Sequence, residues 1–226
     1  MEAIAGLPLV LAVVLTELAV GGAALLLFLD RTGVAPSGFR KLTAVTDLAA
    51  IGLAVALLPA LPRGDLAQRA GLAAGPLAAF AQVLPLVLGC LVVHAVAVFL
   101  PWRLLRDAAG TLATVAGIFA LGVAATARPG QDPYDPFALA ALPLGALALG
   151  GSNAAMLLGH WYLVTPKLSP APLQRAALAV VVALALQGLL VAVAVARGEL
   201  AGITQTALWI GVALRVGVGL LMAAGV

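Results

Sequence analysis

Seven long apolar runs, separated by short charged and proline-rich breaks, limit what this chain can fold into more than any other feature. The runs cover about residues 3–29, 42–61, 72–100, 109–127, 137–165, 176–196 and 203–225. Each is close to or above the ~20 apolar residues that an α-helix needs to cross roughly 30 Å of hydrocarbon. The runs are continuous rather than alternating every second residue, so helices are expected and a β-barrel is not. Breaks such as DRTGVAPSGFRK, PRGDLAQR and PWRLLRD leave no room for a soluble domain. The expected fold is an all-α integral membrane protein: a seven-transmembrane-helix bundle, residues 1–226 forming a single polytopic domain in the cell membrane.

Composition agrees with this reading. Hydrophobic residues make up 64% of the chain, charged residues only 9%, and the mean hydropathy is +1.17. A soluble domain carries about a quarter of its residues as charges. The net charge of +3 rests on 12 Lys/Arg against 9 Asp/Glu and describes short basic loops, not a nucleic-acid surface. The single cysteine, Cys90, excludes an internal disulfide, a dithiol pair and a thioether-bound haem. The opening MEAIAGLPLV lacks a basic start, and its apolar run is too long for a signal peptide, so the first span is expected to stay.

Basic residues orient the bundle. Breaks one, three and five hold Arg31, Arg40, Lys41, Arg103, Arg106, Lys167 and Arg175, whereas breaks two, four and six hold Arg63, Arg69, Arg128 and Arg197. Seven against four places the first set in the cytoplasm, with the N-terminus outside and the C-terminus inside.

One internal echo stands out. Sliding residues 16–36 over 152–172 at a constant offset of 136 pairs Thr16 with Ser152, Glu17 with Asn153, Arg31 with Lys167 and Ala35-Pro36 with Ala171-Pro172. A parallel duplication in a three-one-three plan is the expectation this raises. With its N-terminus outside, that plan resembles the layout of seven-span sugar transporters of the SWEET type. The resemblance covers topology alone, and none of that family's motifs is present to transfer a residue. The chain is also similar in span number to microbial rhodopsins, which hold retinal on a lysine of the last span. Here the last span has Arg215 and no lysine, which argues against retinal.

Ionisable groups within the apolar runs are functional candidates, because a mid-bilayer charge costs at least about 2.5–3.5 kcal/mol. Five qualify: Glu17, Asp47, His94, His160 and Arg215. At ~1.5 Å per residue, Glu17 and Arg215 fall near the midplane, and Asp47, His94 and His160 about 9–14 Å in from the basic end. Glu17 and Arg215 read first as a structural ion pair, with Asn153 at the same depth able to add a hydrogen bond. His94 and His160, on separate helices at similar depth, are what a b-type haem requires of its two axial imidazoles. Gly159 beside His160, and Gly89 five residues from His94, would let a flat macrocycle approach. A metal held by His94, His160 and Asp47, with Cys90 as the fourth ligand, is a lesser alternative. Trp161 and Tyr162 read as interface anchors. Gly150-Gly151-Ser152 reads as a close helix-packing patch, with no histidine at its depth to activate the serine.

The leading expectation is therefore a membrane redox protein with haem b between His94 and His160, exchanging electrons with quinone, while Asp47 and Glu17 handle protons. The alternative is a proton- or ion-coupled small-molecule transporter with Glu17, Asp47, Asn153 and Arg215 along its path. A third is a structural subunit of a membrane complex, whose buried polar groups pair with one another.

Overall fold

The computed structural model describes residues 6–32, 35–127, 135–165 and 168–197. Seven α-helices and no strand are found among them: α1 (Leu7–Arg31), α2 (Ser37–Ala56), a short α3 (Asp65–Arg69), α4 (Ala74–Phe99), α5 (Arg103–Ala125), α6 (Pro136–Val164) and α7 (Ala171–Ala196). All except α3 are long and apolar enough to cross a membrane. The chain is thus a helical membrane bundle with six spans in the described residues. The seventh expected span, residues 203–225, lies outside them together with Arg215, as do Lys167 and Arg128.

Helices α2, α5 and α7 begin at Ser37, Arg103 and Ala171, each five or six residues before the expected start at 42, 109 or 176. The expected boundaries follow charge, whereas Arg40, Lys41, Arg103, Arg106 and Arg175 all ride on helices. Long cationic side chains can leave an apolar helix surface and reach a polar partner without ending the helix. True starts are marked by proline and capping instead. Pro36 and Pro170 occupy the N-cap positions of α2 and α7. At α6, Asp135 accepts a hydrogen bond from the Phe137 N–H at 3.0 Å, with Pro136 at the first helical position.

Helix α1 occupies the centre. It packs against α2, α5, α6 and α7, most extensively against α6. Burial of the most apolar stretch falls from 61% in α1 to 17% in α7, so α7 is the least buried of the six long helices among the described residues. Contact between α1 and α6 is backbone to backbone. A side chain at Gly21 would run into the Ala146 carbonyl, and one at Gly150 would come within 2.6 Å of the Gly22 nitrogen and 2.7 Å of the Gly21 Cα. Close helix approach at small residues is a main source of cohesion in lipid, where apolar burial alone favours no helix pair. Farther along, Leu26 and Leu29 of α1 share a core with Ala154 and Leu158 of α6, so the two helices run parallel.

Candidate functional site

Three levels of buried ionisable groups are stacked along α1 toward its C-terminal, basic end. At Gly22, Asp47 of α2 is fully buried. A Cβ on Gly22 would collide with the Asp47 carboxyl, its Cγ lying 2.8 Å from that position, so the absence of a side chain on α1 makes the space the carboxyl fills. Neither carboxyl oxygen has a hydrogen-bond partner among the described residues. Thr43, one turn earlier on α2 and also fully buried, leaves its hydroxyl unbonded among the described residues. Elsewhere helix hydroxyls bond back one turn, as Thr16 does to Ala12 (2.7 Å), Thr46 to Leu42 (3.0 Å) and Thr114 to Gly110 (2.8 Å).

Five residues farther along α1, at Leu27, comes His94 of α4. The position of a Cβ on Gly110 of α5 lies 2.9 Å from His94 Cε1, 3.1 Å from Nδ1 and 3.2 Å from Leu27 Cδ1. The ring is 3% exposed, and neither nitrogen makes a hydrogen bond among the described residues.

The third level is an ion triad that the sequence reading missed, because its members look like loop charges. Asp30, 8% exposed, receives Arg40 Nη1 on one carboxylate oxygen at 3.0 Å and Arg106 Nε on the other at 3.0 Å. Arg40 also donates to the Ala35 carbonyl and Arg106 to the Leu100 carbonyl, each at 3.2 Å. Charge-assisted bonds of this kind tie α1, α2 and α5 together. The available signal was one acid at the end of an apolar run on the side that carries most of the arginines. From Gly22 to Asp30 is eight residues, about 12 Å along the helix. Glu17, 6% exposed, lies about 7.5 Å farther back on α1.

The structure does not bring the two histidines together. His160 is exposed on α6, its Nδ1 2.9 Å from the Met156 carbonyl of its own helix, while His94 is enclosed by α1 and α5. Ala95 and Val98 of α4 share a core with Ala154 and Leu158 of α6, but the His94 ring lies beside Gly110 of α5 and Leu27 of α1. Gly89 and Gly159 both face open space rather than a shared slot. An axial pair must converge on one iron from opposite faces, and these surroundings do not fit a haem there. Among the described residues, no group of three or more His, Cys, Asp or Glu side chains could hold a metal. Asn153 of α6 keeps a buried Nδ2 without a hydrogen-bond partner among the described residues. Trp161 packs on Gly38 at the start of α2, where a side chain would collide with its ring.

Compared with known proteins, the chain matches no family model, no curated protein and no solved structure. The site's chemistry must carry the functional reading.

Proposed function

We propose that the protein is a proton-coupled small-molecule transporter in which Asp47 is the coupling carboxyl. A single observation carries the reading: a fully buried carboxyl, held against Gly22, with neither oxygen hydrogen-bonded among the described residues. Such a group costs several kcal/mol unless a proton or cation satisfies it, so a merely structural bundle gains nothing from keeping it. His94 and the Asp30 triad, stacked toward the basic end, supply further protonatable and charged groups within about 12 Å of the Asp47 level along α1. Glu17 and Asn153 extend the polar path past the midplane, with Arg215 of the seventh span as its further member. The N-terminus-outside orientation and the three-one-three duplication belong to this proposal, and the side-by-side parallel packing of α1 and α6 suits both.

The redox reading, haem b with quinone as electron partner, has less support, because His160 and His94 face different surroundings. Reconstitution into liposomes tests the transporter. Solute-evoked, pH-gradient-dependent currents are measured across a panel of small molecules. Asp47→Asn, which keeps the shape, is expected to abolish proton coupling while the protein still folds, and Glu17→Gln to weaken it. Undiminished coupled current in Asp47→Asn removes Asp47 from its role.

A further inference from the structure

A groove of about 240 Å³ lies between α1 and α7, with Leu147 and Gly151 of α6 also lining it, and every residue around it is apolar. Its α1 wall includes Gly21, Ala24 and Phe28; its α7 wall includes Ala179, Val182 and Leu186. Both walls are helical stripes, and both lead to arginine. Continuing 21, 24, 28 by three residues reaches Arg31, and stepping back four from 179 reaches Arg175. The antiparallel course of α7 puts the two arginines at the same end, where Arg175 Nη1 donates to the carbonyl of Thr32, the residue next to Arg31, at 3.4 Å.

These two differ from the other arginines of that end. Arg40, Arg103 and Arg106 each pair with a carboxylate. Arg31 and Arg175 pair with none among the described residues: Arg31 donates to the Thr111 hydroxyl at 2.6 Å and Arg175 to the Thr32 carbonyl. Both are exposed. A guanidinium has five N–H donors, and each of these two is described with one hydrogen bond, that of Arg31 to Thr111 of α5, which leaves the remaining donors for an anion. Length fits as well. Ten residues separate Arg31 from Gly21 and eleven separate Arg175 from Leu186, about 15–17 Å along either wall. Half of a ~30 Å hydrocarbon core is the same length. The groove is smaller than the roughly 300–1,000 Å³ of drug-sized pockets and suits a single hydrocarbon chain rather than a ring system.

We propose that this groove binds an anionic phospholipid, one acyl chain lying along α1 and α7 and the headgroup phosphate held between Arg31 and Arg175. The inference does not depend on the transport reading.

Full-length protein in detergent is titrated with phosphatidylglycerol, phosphatidylcholine and inorganic phosphate, and bound lipid is read by native mass spectrometry. Phosphatidylglycerol is expected to bind more tightly than phosphatidylcholine, and phosphate alone not to bind. Replacing Arg31→Gln and Arg175→Gln together is expected to weaken phosphatidylglycerol about thirty-fold, roughly five-fold per arginine. Both side chains are exposed, and an unchanged melting curve confirms that the fold is kept. A photo-crosslinking side chain at Val182 is expected to capture lipid. Equal affinity for the two lipids, undiminished affinity in the double variant, binding of phosphate alone, or capture of residues 203–225 or of a second copy at Val182 would each overturn the proposal.

Discussion

Gly22 of α1 and Asp47 of α2 share one space: the carboxyl fits only because the glycine has no Cβ. This predicts a coupled pair. Gly22→Ala alone is expected to destabilise by about 1–3 kcal/mol through overpacking. In an Asp47→Ala background the new methyl enters vacated volume, so the double variant is expected to recover about 0.5–3 kcal/mol of that loss. Thermal unfolding in detergent of the four members of the cycle measures the coupling, and additive effects would show that the two residues do not touch.

Glycines elsewhere separate close approach from open surface. A Cβ on Gly110 would press on His94 and one on Gly117 on Val20, whereas at Gly89 nothing lies within 4 Å. Gly110→Ala and Gly117→Ala are therefore expected to lower stability by about 1–3 kcal/mol. Gly89→Ala should be neutral or stabilising by up to about 1 kcal/mol, because alanine is the better helix former. Comparable losses at all three positions would contradict the packing described.

How much of this was legible follows from the kind of signal each residue gives. Spans were readable because length and hydropathy are summed properties, and Asp47 and His94 were readable as ionisable residues within apolar runs. Depth was less so: α2 starts at Ser37, so Asp47 lies ten residues, about 15 Å, from its start rather than the 9 Å read from Lys41. The Asp30 triad was not legible, since a charge at the end of an apolar run looks the same whether solvated or paired. Nor was the exposure of His160. Lipid-facing and core-facing sides of α6 are both apolar, so periodicity cannot show which side faces inward.

Asp30 binds two arginines at once, which predicts a steep ranking among the ion pairs. Asp30→Asn leaves two guanidinium groups beside each other at a buried position and is expected to cost about 3–5 kcal/mol. Asp107 pairs with Arg103 at 3.9 Å, and the arginine side chain is 60% exposed. Asp107→Asn is therefore expected to cost less than about 1 kcal/mol. Unfolding measured at low and high salt checks both: the Asp107 effect should fade with salt and the Asp30 effect should persist. A small effect at Asp30 would mean that the triad does not hold α1, α2 and α5 together.

The two histidines are expected to behave differently. His160 is exposed and bonded to a carbonyl of its own helix, so His160→Ala should change stability by no more than about 0.5 kcal/mol and leave proton-coupled current intact. His94 lies between the Asp47 level and the Asp30 triad, buried at 3% exposure, so His94→Gln should slow coupled current without removing solute binding. Absorption spectra of protein from haem-sufficient cells separate this outcome from the redox alternative. A Soret band lost in both His94→Ala and His160→Ala would require the two rings to meet at one iron, and would overturn the separate placements on which the transport reading rests.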